Sequence, residues 1–307
     1  MDSELWLSRF EDYARSYRRS ESTIQGYLVE LRRFLAFLVQ RGLKQPHELT
    51  AADVEAYQVS LEHWRKPNGE MLTVQSKNYR MSSVRTFVKY LRRAGVLMTD
   101  PTADLVRPRP PQRLLPELPT EDEIVRLLEE PDVTTPLGLR DRAILEVFYS
   151  CAIRNGELRA LEVGDVDLAR MQLRVQRGKG GKPRNVPLGE PAAAWVEEYL
   201  ENGRTQLLRD KAHGVLFVTY RGGPFTKSGH LGDIVTAYAE AAGLKKHVTP
   251  HTLRHCCATH MLARKAGLRH LQELLGHATP SSTQIYTRVE LSDLKEAHRL
   301  YHPRESH

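Results

Sequence analysis

The segment Thr249-Pro-His-Thr-Leu-Arg-His255 places His251 and Arg254 three residues apart, directly after a threonine and a proline. A threonine cap with proline at the first helical position puts both side chains in the first turn, where free backbone N–H groups favour an anion. An oxyanion or phosphate site is expected there. The crowding of His251, His255, Cys256, Cys257 and His260 also raises a metal reading. It is the weaker one, because no C-x-x-C or second ligand cluster completes a tetrahedral set, and the H-x-x-x-H lacks the glutamate of a zinc hydrolase. His255 and His260 are expected to be structural, on the packed face of that helix. Arg154-Asn-Gly-Glu157 sets an arginine and a glutamate on one side of a helix opened by Asn155, which alone describes a surface ion pair. In Gly178-Lys-Gly-Gly-Lys-Pro183, Lys179 and Lys182 flank two glycines, so an ammonium can approach a bound backbone; a generic basic turn has the same composition. Leu274-Leu-Gly-His277 is followed, across a Thr-Pro-Ser restart, by Tyr286, composing two short helices around a corner. Taken by itself, Tyr286 reads as a buried structural tyrosine.

The elements that must position these residues follow from periodicity. Trp6, Phe10, Tyr13 and Tyr17 form one helical stripe, read as core packing, and Ile24, Tyr27, Leu28, Leu31, Phe34, Leu35 and Leu38 form a second that stops at Gly42. A third helix starts at Thr50, whose T-x-x-D pattern with Asp53 is a capping signature; a fourth spans Val74 to Arg93 and stops at Gly95. On the fourth, Met81, Val84, Phe87, Val88 and Leu91 make the apolar face, and Lys77, Arg85, Lys89 and Arg92 point elsewhere. Six basic residues and no acid lie between Lys77 and Arg93, a face suited to phosphate contact. From Val106 to Pro119 there are five prolines in fourteen residues, interleaved with Arg107, Arg109 and Arg113: an extended basic connector. Beyond it, helices are expected from Thr120 to Glu129, Leu139 to Ser150, Pro191 to Leu208, Ser228 to Ala242 and Pro250 to Lys265, with three short ones to the end. Strands at Met171–Val175 and Arg184–Leu188 flank the glycine-rich turn as a hairpin. The tail from Glu290 to His307 carries Leu291, Leu294, Ala297 and Leu300 on one face, able to bury in a neighbouring subunit or against its own domain.

Composition bounds the rest. The 307 residues suggest two domains, and no apolar run approaches the roughly 20 residues of a membrane span. The amino terminus shows no signal peptide, so a cytoplasmic, nucleoid-associated protein is expected. Lys and Arg total 45 against 38 Asp and Glu, a net charge of +7 that suits a polyanionic partner. Eleven of the 13 histidines lie from His213 onward, marking the carboxy-terminal part as the chemical half. Cys151, Cys256 and Cys257 make no disulfide framework; the adjacent pair is read as packing.

Taken together, these motifs resemble the tyrosine recombinase (phage integrase) family, especially its Xer-type bacterial members. The match is Arg154 in Ala152-Ile-Arg-Asn-Gly-Glu-Leu158, Lys179 in G-K-G-x-K, His251 and Arg254 in H-x-L-R-H, His277 in L-G-H, and Tyr286 in the S-T-x-x-Y-T ending. The family's G-L before the first arginine is Ala152-Ile153 here, and Trp64 to Thr73 adds a polar loop.

The resemblance implies a mainly α fold with a small β-sheet (α+β). A helical, SAM-like core-binding bundle (1–107), a Pro/Arg-rich linker (108–119) and a catalytic domain (120–307) would close as a C-shaped clamp on DNA. It implies a metal-free, cofactor-free strand transferase. Tyr286 attacks the phosphate, His251 accepts its proton, Arg154 and Arg254 clamp the non-bridging oxygens, Lys179 protonates the leaving 5′ oxygen, and His277 hydrogen-bonds the phosphate. Glu157 orients Arg154 or His251. Lys77, Arg85, Lys89, Arg92, Arg107, Arg109, Arg113 and Lys182 are the expected DNA contacts. The implied partners are double-stranded DNA and three further copies in a tetramer exchanging strands through a Holliday junction, with room for a partner recombinase or accessory protein. The purpose would be dimer resolution or mobile-element integration. A type IB topoisomerase-like enzyme, which nicks, swivels and reseals, and a non-catalytic architectural DNA binder are the alternatives; a pure binder has no need of Tyr286.

Overall fold

The computed structural model describes residues 3–17, 19–106, 108, 117–176, 183–208, 213–227, 229–276 and 291–305. The chain divides into two compact units, Met1–Leu114 and Leu115–His307. No helix among the described residues is long and apolar enough to cross a membrane.

The first unit is built from four helices: α1 (Ser3–Ser16), α2 (Glu21–Gln40), α3 (Ala51–Ser60) and α4 (Val74–Arg93). Their starts are chemical. Thr50 accepts from Asp53 N at 3.3 Å while Asp53 accepts from Thr50 N at 3.1 Å, so two backbone donors that a helix start would leave unpaired are satisfied. Ser20 and Thr73 cap α2 and α4 with the hydroxyl alone, accepting from Thr23 N and Ser76 N. The apolar stripes meet in one core, with Phe10, Phe34, Tyr57, Phe87 and Leu91 all buried. The aromatic stripe of α1 belongs to that core only in part: Phe10 is fully enclosed, whereas Tyr17 is exposed at the helix end with the Arg93 guanidinium 5.3 Å from its ring centre.

The second unit is mostly helical around a small sheet. It comprises α5 (Glu121–Glu129), α6 (Pro136–Cys151), α7 (Asn155–Arg159), β1 (Val166–Asp167), β2 (Gln172–Val175), β3 (Arg184–Pro187), α8 (Glu190–Glu198), α9 (Thr205–Leu208), α10 (Gly229–Ala241), α11 (Pro250–Ala263), α12 (Leu268–Leu275) and α13 (Leu291–Tyr301). The expected hairpin is present as β2 and β3, pairing Leu173 with Val186 and Val175 with Arg184. A two-residue strand, β1, extends it to three antiparallel strands in the order β1-β2-β3; two residues are too few for an alternation to register in sequence. The single helix expected from Pro191 to Leu208 contains a π-helical segment, Tyr199–Arg204, between α8 and α9. There Gly203 lies so close to Tyr199 and Leu139 that an added Cβ would meet their carbons at 2.9 and 3.3 Å. α6 crosses the centre, with every residue from Gly138 to Cys151 buried. The last residues of the proline-rich stretch pack into this unit: His260 Nε2 lies 3.0 Å from Pro119 O and Lys246 donates to Leu118 O.

The tail packs against its own unit. Leu294 and Ala297 are buried and Leu300 is exposed. His298 Nε2 is 2.9 Å from Ser150 O, His302 Nε2 is 3.2 Å from Tyr149 O, and Arg304 pairs with Glu146. The side chain of Leu291 lies outside the described ones.

Candidate active site

At the end of α6 the chain turns through Ala152, a non-glycine residue in left-handed conformation (φ 48°), and Arg154 becomes the N-cap of α7. Glu157 then folds back to accept from Arg154 N at 2.8 Å and from Arg154 Nη1 at 2.8 Å. The surface ion pair expected from R-x-x-E is instead a half-buried one: Glu157 is 4% exposed, while the Arg154 side chain stays about one-third exposed. A second arginine from β3 accounts for this: Arg184 donates Nη1 to Glu157 Oε1 at 2.9 Å and Nη2 to Oε2 at 3.0 Å. Burial works against the Glu157 charge, but hydrogen bonds and charge from Arg184 and Arg154 outweigh it and hold its pKa at about 2.

α11 begins as its residue types require. Thr249 accepts from Thr252 N at 3.2 Å, Pro250 occupies the first helical position, and His251 and Arg254 fall in the first turn and just beyond. His251 is exposed, whereas Arg254 is 5% exposed. Arg254 donates Nη1 to Ala152 O and Nη2 to Leu275 O, the latter at 2.5 Å. Arg154 Nη2 reaches the same Leu275 oxygen at 3.4 Å. Two guanidinium groups from separate helices therefore converge on one oxygen at the end of α12. Burial, followed by the neighbouring charge of Arg154, lowers the Arg254 pKa to about 10, which leaves it protonated at neutral pH. Two guanidinium cations, Arg154 and Arg184, share the Glu157 carboxylate, and a third, Arg254, adjoins them through the Leu275 oxygen, so the cluster carries an excess of two positive charges. Such an excess in a half-buried site favours an anion with oxygens to spare.

Lys179, Lys182, His277 and Tyr286 lie outside the described residues, as do Arg107, Arg109 and Arg113. In sequence, His277 directly follows Gly276, which ends α12 beside Arg184. In the first unit, Lys77 pairs with Glu62, Arg85 donates to Leu105 O, Arg92 lies 3.3 Å from Asp100, and Lys89 is exposed. The residues of the metal reading diverge. His251 and His255 face outward, so His255 does not pack; Cys256 and Cys257 are buried; His260 sits 2.8 Å from Tyr149 Oη and 3.0 Å from Pro119 O. Among the described residues, His298, His302 and Glu305 do cluster, but the imidazoles stack at 4.4 Å and 7°, so their in-plane lone pairs cannot meet on one ion. Arg184 was not anticipated. It stands two positions after Lys182 in the same hairpin, and only its pairing across to α7 distinguishes it from a solvated strand residue.

The phage integrase family profile matches residues 118–292, and that of the phage integrase N-terminal SAM-like domain matches residues 6–96. Tyrosine recombinase XerC 2 of Ralstonia nicotianae is 39% identical over 284 residues, spanning 92% of this chain and 81% of that protein. Among solved structures, XerH site-specific recombinase bound to palindromic difH substrate in a post-cleavage complex aligns with a TM-score of 0.65 and 20% identity, covering 96% of this chain and 83% of that one. A lambda integrase tetramer bound to a Holliday junction aligns with a TM-score of 0.62 and 18% identity, covering 92% and 80%. These two likenesses bear on the fold, and the match in sequence bears on the chemistry. The chain belongs to the phage integrase family and is a tyrosine site-specific recombinase.

Proposed function

We propose that this recombinase breaks and rejoins duplex DNA through a phosphotyrosyl link at Tyr286, with Arg154 and Arg254 holding the scissile phosphate. The observation that carries this reading is the convergence of both guanidinium groups on the Leu275 carbonyl oxygen, which stands in for a non-bridging phosphate oxygen. An excess of +2 around that point suits a phosphodiester whose negative charge grows toward the transition state. A phenol with a pKa of about 10 is a poor nucleophile at neutral pH. The Tyr286 oxygen therefore attacks phosphorus as its proton passes to His251, and the 5′ oxygen leaves with a proton from Lys179. The product is a 3′-phosphotyrosine and a free 5′ hydroxyl. Attack by a 5′ hydroxyl of another strand reverses the steps and conserves the bond energy, with no metal and no nucleotide cofactor. His277 donates to the same phosphate, and Lys182, Lys89 and the arginines of the 106–119 stretch contact the DNA backbone. Four copies on two sites, working in a cytoplasmic compartment through a Holliday junction, complete the proposal, supported by the shared fold of the tetrameric lambda integrase complex.

The test is a denaturing-gel assay for a protein–DNA adduct on nicked duplexes from the gene's own surroundings, run with excess EDTA. The wild type is expected to form an adduct and Tyr286→Phe none, with DNA binding retained. An adduct from Tyr286→Phe, or loss of the wild-type adduct on adding EDTA, overturns the mechanism.

A further inference from the structure

The Glu157 carboxylate is divided between two arginines in a way that constrains one of them. Arg184 applies its fork to both oxygens, at 2.9 and 3.0 Å, so Arg154 reaches Oε1 with Nη1 alone. Its Nη2 is left turned toward the Leu275 oxygen. Were the Arg184 fork absent, the planar guanidinium of Arg154 could take the carboxylate bidentately, the pairing this geometry prefers, and swing away from that oxygen. Arg184 also braces the other support of Arg154. A Cβ added to Gly276 would lie 2.9 Å from Arg184 Nε and 3.1 Å from its Cζ, so the guanidinium is packed flush on the left-handed glycine (φ 58°) that ends α12 next to Leu275. The side chain is only 14% exposed, which holds it in this one arrangement.

We propose that Arg184 is a positioning residue for strand transfer: by occupying Glu157 and backing the α12 terminus, it sets the angle at which Arg154 presents Nη2 to the scissile phosphate. This rests on the reading of Arg154 as a phosphate clamp. Arg184 itself does not touch the phosphate. A lysine in its place keeps the charge but has neither the fork nor the flat face that lies on Gly276.

The experiment compares adduct formation in a single turnover on an ordinary phosphodiester and on a substrate with a neutral methylphosphonate at the scissile position, where there is less charge to clamp. Arg184→Lys and Arg184→Gln are each expected to slow the ordinary reaction about tenfold or more, as misplacement of a catalytic group does. The defect should shrink to no more than about threefold on the methylphosphonate, because the mispositioned guanidinium matters less there. DNA affinity and the Tm of the lysine variant should stay near wild type, and that variant carries the test where the glutamine one folds poorly. Equal slowing on both substrates, or no slowing, overturns the proposal. Arg154→Ala serves as the reference: if its defect is relieved by the methylphosphonate and that of Arg184→Lys is not, the positioning role alone fails. If Arg154→Ala is not relieved either, the clamp reading fails and takes the proposal with it.

Discussion

Ala152 occupies a backbone conformation that glycine adopts freely, and its carbonyl is where Arg254 places Nη1. The left-handed region costs an L-residue roughly 1–2 kcal/mol, while removing its buried methyl costs roughly 0.8 kcal/mol. Ala152→Gly is therefore expected to leave stability unchanged or raise it by up to about 1 kcal/mol, and to keep adduct formation intact. Thermal unfolding checks it, and a Tm several degrees lower contradicts the balance. Also at this scale, Lys179 as general acid predicts a specific rescue. Lys179→Ala should slow cleavage of an ordinary phosphodiester but recover on a 5′-bridging phosphorothiolate, whose sulfur departs without a proton. Equal slowing on both substrates removes that role.

At the scale of elements, the carboxy-terminal segment depends on one buried carboxylate. Glu146 of α6 is fully enclosed and accepts from Arg142 at 3.1 Å and from Arg304 at 2.8 Å, joining α6 to the turn after α13. Burial lowers the Arg142 pKa, with the Glu146 charge opposing that. Glu146→Gln leaves two guanidinium groups facing a neutral amide, and breaking one side of a buried ion pair costs about 3–5 kcal/mol. Urea unfolding of the variant should show a loss in this range; less than about 1 kcal/mol would mean that the arginines find other acceptors or solvent.

For the molecule as a whole, the buried histidines set the pH response. Burial pushes His298 down to about 4, with the Ser150 carbonyl opposing, and burial plus the His298 charge push His302 well below its ordinary range. His260 is lowered by burial as well. These groups are neutral in the folded protein and protonate more readily when it unfolds. Their contribution is therefore intact above about pH 6.5 and is lost as pH falls toward 4. From His298 alone this amounts to roughly 3 kcal/mol. Glu305, raised by burial, acts in the opposite sense above its ordinary pKa of 4.5, and Glu190, Arg304, Glu146 and Arg264 are the other charged groups around these side chains. The Tm should fall between pH 7.5 and 5, and His298→Asn should flatten that dependence; an unchanged slope in the variant would locate the response elsewhere.

Local order was legible in the amino-acid sequence because it is decided by neighbours a few residues apart. Thr50, Thr120 and Thr249 announced three helix starts, the apolar periodicity of α2 and α4 announced their buried faces, and the glycine-rich turn announced the hairpin. The residue types at 154, 179, 251, 254, 277 and 286 sufficed for the family. Spacing did not reveal which charges are already engaged. Lys77, Arg85 and Arg92 read as free basic residues until Glu62, the Leu105 carbonyl and Asp100 came beside them. His298 and His302 carried no local signal of burial. Arg184 and Glu157 stand 27 residues apart, and Arg154 and Leu275 are separated by 121. Contacts over such separations depend on how β3, α7 and α12 pack around one core, so the shared carboxylate and the oxygen on which two arginines converge were decided only by the tertiary structure.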